Sequence, residues 1–268
     1  MQARPVTIVT GASAGIGSAL AQVFSGKGHE LVLVARRAQA MQALADDLAA
    51  QGRPAPLVLA LDLEQTGAVA RIGEALAARG LAAQYVINNA GFGLLGLADV
   101  LSRDEQLAMI DLNVRTLVDL SLAFVDDLAR QRGGILNVAS VAGFLPGPGM
   151  AVYYASKAFV LSFSESLRRE LAGRGVRVTV LCPGPVATEF QARAGLPAGH
   201  VRSGVNRVLA RSAEEVARAG YRGLMEGRRC VVPGWQNRLV TMLPRFLPRE
   251  VVMRAMEEVQ MRRLRARP

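Results

Sequence analysis

A β-branched run, Val6–Thr10, passes directly into Thr10-Gly11-Ala12-Ser13-Ala14-Gly15-Ile16-Gly17, and an alanine-rich segment follows. Glycines at such a strand-to-helix turn let the backbone reverse tightly and leave no Cβ in the path of a pyrophosphate. The helix N-terminus behind them offers unpaired N–H groups and a partial positive charge. Ser13 adds a hydroxyl. Placed between a first strand and a first helix, this turn predicts a nucleotide-binding α/β unit.

The rest of the chain repeats the strand–helix rhythm. Further strands are expected at Glu30–Val34, Ala55–Leu61, Gln84–Asn88, Gly134–Ala139, Val176–Leu181 and Arg229–Val232. They are continuous apolar runs, as a parallel sheet covered on both faces requires. Helical segments are expected at Gly15–Gly26, Ala38–Ala50, Thr66–Ala78, Asp104–Arg130 and Val152–Ala172. The pattern predicts an α/β fold with a doubly wound parallel sheet, the Rossmann fold. The domain spans residues 1–233, and residues 234–268 form a basic, amphipathic C-terminal extension.

Composition removes other classes. With 51% apolar and 20% charged residues among 268, the chain is not intrinsically disordered. Two cysteines and two histidines cannot build a disulfide framework or a histidine-rich metal centre, so no metal is expected. The N-terminus enters a strand without an apolar signal core, and no apolar run reaches membrane-spanning length. A cytoplasmic location is the expectation.

With Thr10, the glycine spacing resembles the TGxxxGxG signature of the short-chain dehydrogenases/reductases. Asn88-Asn89-Ala90-Gly91 is similar to that family's NNAG element. Tyr153-Tyr154-Ala155-Ser156-Lys157 resembles its YxxxK element, and Pro183-Gly184-Pro185-Val186-Ala187-Thr188 its PGxVxT element. Ser140 ends the fifth strand, where the family carries a serine. The resemblance runs from Val6 to about Val232.

Tyr153 and Lys157 stand four apart on a predicted helix and so share a face. A phenol of pKa ~10 is a poor acid at neutral pH, and a neighbouring ammonium lowers that value. The pair suits proton transfer to or from an alcohol oxygen. The resemblance implies Tyr153 as the acid/base, with Tyr154 a packing residue. It further implies that Ser140 orients the substrate oxygen and that Asn113 holds a water in a relay through Lys157. The catalytic set is therefore Asn113, Ser140, Tyr153 and Lys157.

The resemblance also implies a nicotinamide cofactor. Gly11, Ser13, Gly15, Ile16 and Gly17 would cradle its phosphates, and Asp62 would meet the adenine. Asn89, Gly91 and Pro183 would line the cleft, Val186 and Thr188 would contact the nicotinamide amide, and Tyr153 and Lys157 would border the ring and its ribose. After the second strand the family's acidic position holds Ala35, and Arg36 and Arg37 follow. Without an acid for the ribose hydroxyls, the arginines suit a 2′-phosphate, Arg36 foremost, so the expected cofactor is NADP(H).

The loops that would hold the substrate carry Phe92, Leu94, Leu95, Phe144, Leu145, Met150, Phe190 and Leu196, with Glu189 and Arg193 as charged exceptions. An apolar carbonyl compound or alcohol is the expected partner. Residues 191–207 read as a lid. A non-catalytic nucleotide-sensing or scaffold role is the alternative, opposed by the intact Tyr153 and Lys157. Family members commonly pair their long helices between subunits. Leu117, Leu120, Phe124, Phe159, Phe163 and Leu167 therefore predict a homodimer or homotetramer.

Net charge is +10, and residues 222–268 contribute +7 of it, from 11 arginines and 4 glutamates. Only Trp235 and Phe246 are aromatic there, so nucleic acid is not expected. The tail's apolar residues recur among arginines. That pattern suits packing over the subunit, or weak peripheral association with an anionic membrane.

Overall fold

The computed structural model describes residues 3–197, 199, 201 and 204–265. All seven expected strands form, as β1 (Arg4–Thr10), β2 (Leu31–Ala35), β3 (Leu57–Ala60), β4 (Leu81–Asn88), β5 (Gly134–Val138), β6 (Arg177–Leu181) and β7 (Cys230–Val231). They make one parallel sheet in the order β3-β2-β1-β4-β5-β6-β7. The edge strands are shorter than their apolar runs. Pro54 and Pro56 bring no N–H to the start of β3, whose residues stay half-exposed.

Helices cover both faces. On one, α1 (Gly15–Ser25), α2 (Ala38–Ala50) and α10 (Ala213–Met225) bury Leu20, Phe24, Met41, Leu48, Val216 and Leu224 against Val9, Leu33 and Ile87. On the other, α3 (Ala68–Ala77), α5 (Leu117–Ala123), α6 (Val125–Arg130) and α7 (Ala151–Glu170) bury Ile72, Leu120, Leu128 and Leu167 against Ile8, Val86 and Ile135. Side chains of β1, β2 and β4 thus alternate between two cores, which is why their sequences read as unbroken apolar runs.

The segment Asp104–Arg130, read as one helix, is broken. It contains α4 (Arg103–Ile110), a π-helical turn at Asp111–Thr116, α5 and α6. The π turn carries Asn113, a common position for functional residues. Thr116 Oγ1 donates to Leu63 O at 2.8 Å and pins the turn to the loop after β3. The break between α5 and α6 falls at Phe124 (φ −110°, ψ 11°).

Strand order reverses between β1 and β4, so a crevice opens beyond their C-terminal ends. The tail then crosses this end of the sheet. α8 (Phe190–Arg193) and α9 (Gly204–Leu209) precede α10 and β7, and the tail forms α11 (Trp235–Met242) and α12 (Arg249–Arg265). No described helix is long and apolar enough to cross a membrane. Cys182 and Cys230 are free thiols, their Sγ atoms 3.8 Å apart beside the β6–β7 edge.

Candidate active site

The glycine-rich turn and the Asn88-Asn89-Ala90-Gly91 segment face each other across the crevice and are stitched together. Thr10 Oγ1 accepts from Asn89 N at 3.0 Å and Ala90 N at 3.1 Å. Asn89 Nδ2 donates to Thr10 O at 3.0 Å and Gly11 O at 3.3 Å. Glycine is required here by space as well as by conformation. A Cβ on Gly17 would lie 2.2 Å from Gly11 O, and one on Gly11, at φ +64°, would lie 2.8 Å from Asn89 Nδ2. Gly17 therefore serves helix packing and does not line the crevice, whereas Gly11, Ser13, Gly15 and Ile16 do.

The crevice is one cavity of about 740 Å³. At its outer end stand Arg36, Arg37, Asp62 and Glu64, and at its inner end Ser140, Tyr153 and Lys157, with Asn89, Gly91, Pro183, Val186 and Thr188 between. An elongated cleft that runs from paired arginines, past a Cβ-free helix start, to a tyrosine–lysine pair fits a dinucleotide. Arg36 Nη1 lies 3.7 Å from Glu64, and Arg37 Nη2 lies 2.8 Å from Glu189. Arg37 also donates to Ser13 Oγ at 3.2 Å, so it reaches over the cradle.

Ser140 caps the 3₁₀ turn Val141–Phe144 and accepts from Ala142 N at 3.1 Å. Its hydroxyl donates to Pro183 O at 3.4 Å and lies near the phenol of Tyr153. Lys157 is buried, donates to Val138 O at 2.9 Å, and places Nζ 5.9 Å from the centre of the Tyr153 ring. Burial pushes the Tyr153 phenol up from its ordinary value, and the nearby Ser140 hydroxyl only partly offsets this. The lowering expected from the Lys157 ammonium does not contribute at this distance. Burial pushes Lys157 down to about 8.

Asn113 is buried behind the cleft and does not line it. Its Nδ2 donates to Phe92 O (2.9 Å) and Ser156 Oγ (3.1 Å), and its Oδ1 accepts from Phe92 N (3.1 Å). The side chain is thus committed to fixing Gly91–Phe92 against α7. It acts in the fold as a positioning residue.

Among the expected substrate contacts, Phe92, Leu145, Met150, Phe190 and Leu196 line the cavity, with Glu189 and Arg193 at its edge; Leu94, Leu95 and Phe144 do not. Leu95 packs behind Met150 and Tyr154, and Phe144 against the Leu117–Val160 cluster. Leu209, Val240, Met256, Val259 and Arg263 close the wall instead, four of them from the tail. No short spacing announced them. Of the 191–207 segment, residues 198, 200, 202 and 203 lie outside the described residues. Gln191 anchors its start through Val186 O at 2.6 Å and Thr188 N at 3.0 Å. Among the described residues, no cluster of three or more His, Cys, Asp or Glu is placed to hold a metal.

A family model described as short chain dehydrogenase matches residues 5–197. The sulfoacetaldehyde reductase of Chromohalobacter salexigens is 42% identical over 185 residues, 68% of this chain and 72% of that protein. An NADP-dependent 3-hydroxy acid dehydrogenase of Escherichia coli (strain K12) is 36% identical over 188 residues, 69% of this chain and 74% of the relative. Among solved structures, a short-chain dehydrogenase from Sphingobium yanoikuyae in complex with NADPH superposes with a TM-score of 0.76 at 30% identity, covering 96% of this chain and 95% of the other. The matched span contains the glycine cradle, the serine, the tyrosine and the lysine that meet in one cleft, and on that ground the chain belongs to the short-chain dehydrogenase family.

Proposed function

We propose that this oxidoreductase interconverts a carbonyl and a secondary alcohol on a substrate with an apolar body, using NADP(H), with Tyr153 as the proton-transfer residue. The observation that carries the reading is that Tyr153, Ser140 and buried Lys157 line the same cavity as the glycine-rich turn and the paired arginines. The nicotinamide ring supplies or removes the hydride when bound. Ser140 holds the substrate oxygen, Tyr153 gives that oxygen its proton, and Lys157 offsets the charge left on the phenolate. Two of the relatives, a sulfoacetaldehyde reductase and a 3-hydroxy acid dehydrogenase, act on a carbonyl and on a hydroxyl compound respectively. A screen of ketones and aldehydes with NADPH tests the reading. Failure to oxidise NADPH with any carbonyl would overturn it.

The 2′-phosphate preference follows from the absence of an acid at Ala35 and from the two guanidinium groups beside it. Both are already held by Glu64 and Glu189, so they are pre-positioned at the cleft mouth. We expect kcat/KM to be higher with NADPH than with NADH, and Arg36→Asp to shift the ratio toward NADH by roughly ten- to hundredfold. Equal efficiency with both cofactors in the unmutated enzyme would refute this. Arg37→Asp, tested alongside, measures how the task is shared.

Assembly and tail complete the proposal. Leu117, Leu120, Phe124 and Leu167 are buried within the subunit, so they are not the contact face. Leu107, Ile110, Leu122 and Phe159 are exposed on the same helices and take that place in a homodimer or homotetramer. Trp235, Leu239, Met242, Leu243, Phe246 and Leu247 are also exposed, Phe246 at 77%, beside Arg238, Arg245 and Arg249. This surface supports weak, salt-sensitive binding to anionic vesicles. Co-sedimentation at low salt should detect it and should lose it for Phe246→Ser/Leu243→Ser. Absence of binding by the full chain assigns the patch to subunit contact, which light scattering reads as a change in mass.

A further inference from the structure

The charges around the cavity are divided unevenly. Its carboxylates are Asp62, Glu64 and Glu189; Glu64 pairs with Arg36, and Glu189, at the edge of the substrate loops, pairs with Arg37. Arg193 and Arg263 also line the cavity. Arg193 lies over the Phe92 ring, 4.2 Å from its centre. Arg263 comes from α12, beyond residues 5–197 that the family model matches. Among the described residues neither arginine forms an ion pair.

Arg263 is held by neutral acceptors. Its Nη1 donates to Gln260 Oε1 at 3.0 Å and its Nη2 to Asn206 Oδ1 at 3.4 Å. The Tyr154 hydroxyl beside it accepts from Gln260 Nε2 at 2.9 Å. Gln260 is fully buried, so the guanidinium is braced from below by a side chain that cannot move into solvent. Burial pulls Arg263 down from its ordinary value. A half-buried cation without a counter-charge is destabilising unless something anionic completes it. Here the brace is one residue away from the chemistry, since the Tyr154 and Tyr153 rings are 6.0 Å apart at a T-shaped angle.

We infer that Arg263, braced by Gln260 and Tyr154, binds an anionic oxygen group, a carboxylate or sulfonate, at the far end of the carbonyl substrate. The inference rests on the reading of Tyr153 as the reacting centre and adds the substrate class: a keto acid or keto sulfonate whose apolar middle lies along Met150, Val259 and Met256. The guanidinium fork matches either group with two hydrogen bonds. Arg193 at the cleft edge adds attraction for the same charge.

Three ketones of matched length test this with NADPH: 5-oxohexanoate, 4-oxopentane-1-sulfonate and 2-hexanone. The unmutated enzyme should favour one or both anions over 2-hexanone by roughly ten- to hundredfold in kcat/KM, mainly through KM. Whichever anion is preferred names the group. In Arg263→Gln the anion preference should fall at least about tenfold, and Arg263→Lys should restore part of it. A second measurement needs no turnover: hexanoate, but not 1-hexanol, should raise the Tm of the NADP⁺-loaded enzyme, and Arg263→Gln should abolish that rise. If no ketone is reduced but hexanoate still stabilises through Arg263, the anion site stands and the assigned reaction falls. No anion preference in the unmutated enzyme, equal losses on charged and uncharged ketones, or an unchanged hexanoate effect in the variant would overturn the inference.

Discussion

Replacing Tyr153 with phenylalanine is expected to lower turnover by roughly 10²–10⁴-fold while NADPH binding stays nearly unchanged. The ring remains to pack on Phe190, whose centre is 5.4 Å away, so the cleft keeps its shape and loses only the proton. Tyr154→Phe removes a hydroxyl that bonds Gln260, so its effect on kcat should be small. Reversal of the two effects would move the acid to Tyr154. The pH profile gives a second check. Burial keeps the Tyr153 phenol protonated through the neutral range, as a proton donor in carbonyl reduction must be. In the proposed mechanism the charge that offsets the resulting phenolate is Lys157, pushed down to about 8, so it is present below that pH and lost above it. The reductive kcat/KM should therefore fall as pH rises through about 8. Lys157→Met should be slow at every pH and lack the inflection. An unmutated profile flat from neutral pH upward would contradict this role.

What could be read from the sequence was local. The glycine turn, Tyr153 with Lys157, and Ala35 followed by two arginines each state their chemistry within a few residues, and each lies in the cleft. The strands were legible for the same reason: continuous burial on both faces leaves continuous apolar runs. The unread parts depend on distant partners. Asn88 Nδ2 donates to Asn137 Oδ1 at 2.8 Å and Ser121 Oγ at 3.0 Å, and Asn137 Nδ2 donates to Ser164 Oγ at 2.9 Å. This buried chain ties β4 and β5 to α5 and α7 under the active site, yet nothing in the sequence pairs its members. Asn113 was read as a water holder because of its position in a motif. Its amide also clamps the Phe92 backbone, a role visible only once the π turn brings the two together. Leu94, Leu95 and Phe144 were apolar in the right loops, but loop membership does not say which way a side chain points.

Deleting residues 249–268 should leave a folded, NADPH-binding protein whose kcat/KM for substrate falls by about one to two orders of magnitude, chiefly through KM. The sheet ends at Val231 and the cradle at Thr188, so both are complete without α12. The helix nevertheless contributes Met256, Val259 and Arg263 to the cavity wall. It also buries Val252 and Gln260 and places Leu264 3.1 Å from where a Cβ on Gly149 would stand. Few of its other side chains are buried, so the Tm should drop by only a few degrees, about 2–4 °C per kcal/mol lost in a chain of this size. Deleting from residue 234 should cost more. It also removes Asn237, whose Nδ2 donates to Leu209 O at 2.9 Å and Pro233 O at 2.8 Å, and whose Oδ1 sits against Gly184 in the loop beside the nicotinamide end. Calorimetry with NADPH and steady-state rates with a ketone separate the two deletions. If the shorter deletion already abolishes NADPH binding, α12 is part of the folding unit and its wall is not dispensable. If it leaves KM unchanged, the wall does not touch the substrate, and the anion site on Arg263 goes with it.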